Sequence, residues 1–154
     1  MLRGSVCRVV KETKKPWFKK PSSATSRRMR LVRSANTKLE KTMESLLKAQ
    51  GITYQKQPPL LGRPDFTIKN TNILIFCDSS FWHGRRIKEI TGEAFKKNKD
   101  FWVNKLVENK KRDAIINKTL RKDGWRVLRF WDTDVLKHPE KIIKKLALEI
   151  KENE

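Results

Sequence analysis

The stretch from Gly62 to His83 constrains this chain more than any other, because it sets an aspartate inside an apolar strand. Pro64 to Ile68 and Ile73 to Cys77 are apolar and β-branched, and Lys69-Asn70-Thr71-Asn72 between them reads as a turn. A hairpin is therefore expected. With Asn70-Thr71 as a two-residue turn, Ile68 pairs with Ile73 and Asp65 lies opposite Phe76, with Asp78 its diagonal neighbour on the same face. A slip of one sets Asp65 against Cys77 instead, and the pattern is compatible with both. A charged carboxylate is costly to bury unless a cation or hydrogen-bond donors compensate it. Asp78 and His83 follow at the end of the second strand, so three ionisable groups meet at one edge of an apolar hairpin. That convergence points to a hard-metal site.

The partner of such a site is written in the charge. The 154 residues carry 37 Lys and Arg against 17 Asp and Glu, a net charge of +20. Such an excess favours nucleic-acid phosphates or an anionic membrane surface. No run of about 18 apolar residues is present to span a bilayer, and no apolar segment follows the basic N-terminus to act as a secretory signal. Cys7 and Cys77 alone make neither a disulfide framework nor a zinc cluster. An intracellular, cytoplasmic, reducing setting is expected.

Around the hairpin the chain reads as one domain preceded by an arm. Residues 1 to about 36 are basic, poor in large apolar residues and unable to bury enough surface to fold alone. The domain is taken to begin at residue 27, with 1–26 a flexible extension. Met29, within Arg27-Arg28-Met29-Arg30, is either part of that arm or a cap on the core of the next helix. A helix follows from a cap at Asn36 or Thr37 to Gln50, stopped by Gly51, with Leu39, Met43, Leu46 and Leu47 on its apolar face. Glu40 falls in its first turn, where an acidic side chain suits the helix N-terminus irrespective of any chemistry. Ile52 to Lys56 reads as an edge strand ended by Pro58-Pro59, and residues 84–98 as a polar surface connection. A long helix is expected from Asp100 to Lys122, closed by Gly124. Its contact stripe, Trp102, Leu106, Asn109, Asp113, Ile116 and Leu120, is interrupted by two polar residues. Buried, they need partners, which would bring this helix to the site; rotated slightly, both face solvent. Trp125 to Trp131 is the most strand-like segment in the chain, and Pro139 opens a last helix bearing Ile142, Ile143, Leu146 and Ile150. The order predicts an α/β sandwich with a small mixed sheet flanked by helices.

A proline-aspartate pair with a second acidic strand position about a dozen residues on is the general pattern of metal-dependent nucleases, in which a cation binds the scissile phosphate and acidifies the attacking water. The larger combination is more specific. Gly62-Arg63-Pro64-Asp65-Phe66, then Phe76-Cys77-Asp78 leading to Phe81-Trp82-His83-Gly84, resembles the very-short-patch mismatch repair (Vsr) endonucleases, of restriction-endonuclease-like fold. Phe101-Trp102, Lys105, Asn109, Arg112-Asp113, Gly124-Trp125-Arg126-Val127-Leu128, Met29-Arg30 and Thr37-Lys38-Leu39-Glu40-Lys41 continue the resemblance, which covers roughly residues 27 to 150.

The resemblance implies Asp65 and the main-chain carbonyl of Cys77 as ligands to Mg²⁺, one ion or two. It implies His83 as the base for the attacking water, oriented by Glu40, with Asp78, Asn109 and Asp113 supporting metal and water. Phe81, Trp82 and Trp102 match an aromatic wedge and Met29, beside Arg30, an arm entering the other groove; Asn109 and Arg112 also fall to the DNA side. Such wedges unstack and kink a duplex, and a mispaired step opens at lower cost. Arg85-Arg86, Lys96-Lys97 and the arm would supply phosphate contacts. One departure stands out. Where the family places cysteines for a structural zinc, this chain has Ser80, Arg85 and Thr133, so thiolate ligation is impossible and no structural zinc is expected. Ser79-Ser80 also stands where the family has Gly-Cys. The expected enzyme is a monomeric, Mg²⁺-dependent nickase of mismatched double-stranded DNA, its target a thymine opposite guanine. Two alternatives stay open: a mobile-element or restriction-type nuclease on the same domain, and a non-catalytic DNA-binding module.

Overall fold

The computed structural model describes residues 22–31, 37–85 and 99–152. The basic segment before residue 22, the alternative cap at Asn36 and the cations Arg86, Lys96 and Lys97 lie outside the described residues. The elements run α1 (Ser23–Leu31), α2 (Lys38–Ala49), β1 (Tyr54–Lys56), β2 (Phe66–Ile68), β3 (Ile73–Asp78), α3 (Lys99–Lys122), β4 (Arg126–Trp131), α4 (Asp132–Lys137) and α5 (Pro139–Lys151).

Two of these were not anticipated. α1 begins where the Ser22 hydroxyl accepts from the Thr25 amide at 3.2 Å, a cap that serine supplies well. None of its residues is buried, and the boundary drawn between residues 26 and 27 falls inside it. α4 is a short helix directly after β4, separated from α5 by His138 alone. α2 starts at Thr37, which together with Glu40 forms a reciprocal capping box.

The sheet has the order β1-β2-β3-β4 and is mixed: β1, β2 and β3 are antiparallel neighbours, while β4 runs parallel to β3. Phe66 pairs with Ile75 and Thr67 with Leu74, the register that the Asn70-Thr71 turn predicts. Pairing ends there, because the Asp65 amide bonds to the Ile75 carbonyl at 2.9 Å. Asp65 is thereby left at the strand's mouth rather than in the ladder against Phe76.

One face of the sheet is covered by α2, α4 and α5, through Met43, Leu47, Val135, Ile142 and Leu146 against Phe66, Ile68, Ile73, Ile75, Leu128 and Phe130. The other is covered by α3, whose Ile116 and Leu120 meet Leu74, Phe76 and Val127. Each fully buried Leu, Ile or Phe in these layers contributes about 1.5–3 kcal/mol. The loop into β2 is pressed onto α3 at Gly62, where φ is +77° and an added Cβ would lie 2.6 Å from Ile116 Cγ2. Only glycine fits that approach without strain, and it delivers Asp65 to the end of the sheet nearest α3.

Candidate active site

The strand ends carry two carboxylates in different settings. Asp65 Oδ2 accepts from the Cys77 amide at 2.7 Å, which brings the main chain of β3 onto the carboxylate. Burial pushes the Asp65 carboxyl up to about 6; the Cys77 amide opposes the rise, and the negative charges of Glu40 and Asp78 add to it. Burial likewise drives the Cys77 thiol well above its ordinary value, and Asp65, Glu40 and Asp78 drive it further. The Cys77 side chain is thus an unreactive thiol packed against the apolar core. Glu40 is buried, and its Oε1 accepts from the Thr37 hydroxyl at 2.8 Å and the Thr37 amide at 3.3 Å.

Asp78, 4% exposed, lies on the α3 side. The Arg129 guanidinium grips it with two donors, Nε to Oδ2 and Nη2 to Oδ1 at 2.8 Å, the fork geometry that makes arginine–carboxylate pairs strong. The same guanidinium reaches Asp113 Oδ1 at 3.2 Å and Asn117 Oδ1 at 3.0 Å, and stands over the Phe76 ring at 4.7 Å. Burial works against its charge, but Asp78 and Asp113 outweigh burial and hold its pKa above the ordinary value. His83 completes the group: Nδ1 lies 2.6 Å from Asp113 Oδ2 and Nε2 3.7 Å from Asp78 Oδ1. Asp113 as acceptor fixes the tautomer that carries hydrogen on Nδ1 and leaves Nε2 a lone pair. The carboxylate hydrogen-bonded to the imidazole is therefore that of Asp113 on α3, whereas the Thr37 contacts of Glu40 are those of a helix cap.

The three aromatics form one group outside both apolar cores. Ring centroids are 4.9 Å apart for Phe81 and Trp82, 5.7 Å for Trp82 and Trp102, and 6.2 Å for Phe81 and Trp102. Trp82 is 36% exposed. Asn109 Nδ2 donates to the Trp82 carbonyl at 3.0 Å, so both polar residues of the α3 stripe have partners at the site. Beside them runs a groove of about 780 Å³ between the Leu61–Arg63 loop and α3, lined by Arg63, Lys105, Lys111 and Arg112 with Glu108 as its acidic member. Met29 and Arg30 are exposed on α1, Met29 by 51%.

A family model described as DNA mismatch endonuclease Vsr matches residues 19–89. The type II nicking enzyme V.HpaIIP of Haemophilus parainfluenzae is 41% identical over 110 residues, 71% of this chain and 77% of its own. The DNA mismatch endonuclease Vsr of Escherichia coli K12 is 34% identical over 108 residues, 70% of this chain and 68% of its own. The chain belongs to the Vsr family. Type II nicking enzyme V.NmeDIP of Neisseria meningitidis serogroup C, 36% identical over 107 residues, is similar across 69% of this chain and 72% of its own. This Vsr-family protein is accordingly a DNA endonuclease, built on the mixed α/β sheet of the restriction-endonuclease-like fold.

In this Vsr-family chain the site includes one residue that sequence reasoning missed. Arg129 was visible only as a basic interruption of an apolar strand; a cation in that position signals buried carboxylates nearby, but not which ones. Among the described residues no group of three His, Cys, Asp or Glu side chains stands ready to hold a metal ion, and no helix is long and apolar enough to cross a membrane. The donor set at Asp65 still fits a hard cation. Mg²⁺ keeps several waters and needs only one or two carboxylates with a main-chain oxygen, and the crowding of Glu40 and Asp78 onto Asp65 is relieved by positive charge.

Proposed function

We propose that this Vsr-family endonuclease nicks one strand of duplex DNA in a Mg²⁺-dependent reaction at a thymine opposite guanine. The observation that carries the reading is a buried carboxylate, Asp65, raised by burial and by the charges of Glu40 and Asp78, with that same Asp78 standing 3.7 Å from Nε2 of the Asp113-bound His83. Bound by Asp65 and the Cys77 carbonyl, Mg²⁺ would draw charge from the scissile phosphate and acidify a water. His83 takes a proton at Nε2 from an attacking water, while Asp113 holds the ring through Nδ1 and stabilises the imidazolium that results. Arg129 keeps Asp113 and Asp78 in place. Glu40 extends the negative field over Asp65, and its capping of α2 fixes where that field originates. Phe81, Trp82 and Trp102 act as the wedge that opens a weakly stacked step. Asn109 anchors the wedge loop to α3, Arg112 binds backbone phosphate in the adjoining groove, and Met29 with Arg30 approaches the duplex from α1.

The test is cleavage of end-labelled duplexes, one carrying a T·G mismatch and one fully matched, with Mg²⁺ and with EDTA. Nicking of the mismatched duplex alone, abolished by EDTA, is expected. Asp65→Ala should lower the rate by about 10³-fold, the equivalent of several kcal/mol of lost transition-state stabilisation, with binding nearly unchanged. Wild-type rates in that variant would sink the metal assignment. The relatives named type II nicking enzymes favour a second reading, a restriction-type nickase, and equal cutting of both duplexes would decide for it.

A further inference from the structure

Residues 79–85 hold Phe81, Trp82 and His83 in one tight turn. The His83 amide donates to the Ser79 carbonyl at 3.1 Å, the Arg85 amide to the Ser80 carbonyl at 3.1 Å, and the Gly84 amide to the Phe81 carbonyl at 3.3 Å. Both ends of this turn are tied to the first three residues of α4. At its start, Asp132 Oδ1 accepts from the Ser80 amide at 3.1 Å and from the Ser80 hydroxyl. The same oxygen accepts from the Thr133 amide at 2.7 Å, which fixes the carboxylate to its own helix. At its end, Arg85 Nη1 donates to Thr133 Oγ1 at 2.7 Å and to Asp134 Oδ2 at 2.9 Å, and the guanidinium lies over the Trp131 ring at 5.3 Å. A turn held at one end pivots about that contact; held at both, it keeps one orientation.

We propose that Asp132 and Arg85 are positioning residues, a two-point polar clamp that fixes the aromatic group and His83 against the cleavage site. The proposal rests on the T·G-nicking reading for its catalytic consequence. Ser80, Arg85 and Thr133, the three side chains that cannot ligate zinc, are all members of this clamp. Burial raises the Asp132 carboxyl, but the donors from Ser80 and Thr133 outweigh burial and hold it below its ordinary value. Asp132 therefore keeps its charge across the neutral range. The clamp also reassigns Arg85. A phosphate contact was expected of it, whereas its guanidinium is turned onto α4.

The test compares the wild type with Asp132→Ala and Arg85→Gln in three measurements. In hydrogen exchange, the Ser80, His83 and Arg85 amides should lose protection in both variants, with α2 and β3 unchanged. In single-turnover nicking of the T·G duplex at saturating enzyme, both variants should fall by about 10- to 100-fold, the cost of misplacing groups near the reaction by an ångström or less. In duplex binding against salt, the slope for Arg85→Gln should equal that of the wild type. A slope lower by about 1 with an unchanged nicking rate would make Arg85 a phosphate ligand and overturn its place in the clamp. Unchanged exchange in Asp132→Ala overturns the clamp whether or not the wild type nicks DNA. If the wild type fails to nick while the variants lose protection, the T·G-nicking reading fails and the clamp survives on the exchange data.

Discussion

Asp65 and Asp78 close two adjacent strands of the same sheet, yet the protein treats them in opposite ways. Asp78 is gripped by both arms of Arg129, inside a ring completed by Asp113 and Asn117. Asp65 accepts one main-chain amide among the described residues, and its carboxyl is pushed up to about 6. One carboxylate is neutralised by the fold; the other is short of positive charge in a chain with a net charge of +20. Among the described residues Arg129 also draws on Asp65, but as the weakest of the influences on it; a carboxylate left raised in this way suits an external cation, and the difference makes the two positions respond oppositely to substitution.

The largest expected effect on stability falls on the satisfied side. Arg129→Met keeps much of the packing on Phe76 but strands Asp78 and Asp113 without their cation. Breaking a buried ion pair from one side costs about 3–5 kcal/mol, and because Asp113 is partly exposed the lower end, about 3 kcal/mol, is expected. Urea denaturation measures it. A loss under about 1 kcal/mol would mean that Asp78 is not held by the fold, and the contrast would collapse.

On the unsatisfied side the sign reverses. The Asp65 carboxyl titrates at about 6 folded against 3.8 as a free side chain. Between those values the folded chain keeps a proton that the unfolded chain has released, so in EDTA stability falls as pH rises through this window and stays lowered above it. Asp65→Asn removes the penalty. It should raise stability by about 2–3 kcal/mol at pH 7, with the gain vanishing below about pH 4, while nicking is lost. Mg²⁺ should then stabilise the wild type and leave the variant unmoved. Denaturation at both pH values, with and without Mg²⁺, reads this out. A variant less stable than the wild type at pH 7 would show that Asp65 is already compensated.

How much of this was legible beforehand follows from how local each signal is. The hairpin register depends on a turn of two residues, and Ile68, Ile73 and the acidic positions were readable from it. The apolar faces of α2 and α5 have helical spacing long enough to count. The Asn109 and Asp113 interruptions of α3 announced partners at the site. What escaped depends on contacts far apart in the chain. Arg129 meets Asp78 and Asp113 because β4 pairs parallel to β3, with Arg129 against Phe76, a register set by a crossover through α3 that no local pattern encodes. For the same reason the hydrogen bond between the imidazole and Asp113, four turns into a long helix, was not readable as a pairing beforehand. The clamp was hidden because α4 has six residues, too few for a periodic pattern to emerge.

The smallest expected effect tests whether Asp65 is raised by its surroundings or by burial alone. Burial is the leading cause of its shift, and Glu40 is the first of the charges that add to it. Glu40→Gln removes that charge while its carbonyl oxygen can still accept from Thr37, so the capping box is weakened rather than lost. The stability cost should be under about 1 kcal/mol. The Asp65 titration, followed through its carboxyl carbon by NMR in EDTA, should move to a midpoint below 6, because one repelling charge has gone. An unmoved midpoint would assign the elevation to burial and Asp78, and Glu40 would then be a helix cap with no part in the field at the metal position. A lowered midpoint makes the cap and the field two uses of one carboxylate. In that case the fold, by fixing Thr37 at the start of α2, also sets how strongly the mouth of β2 attracts a cation.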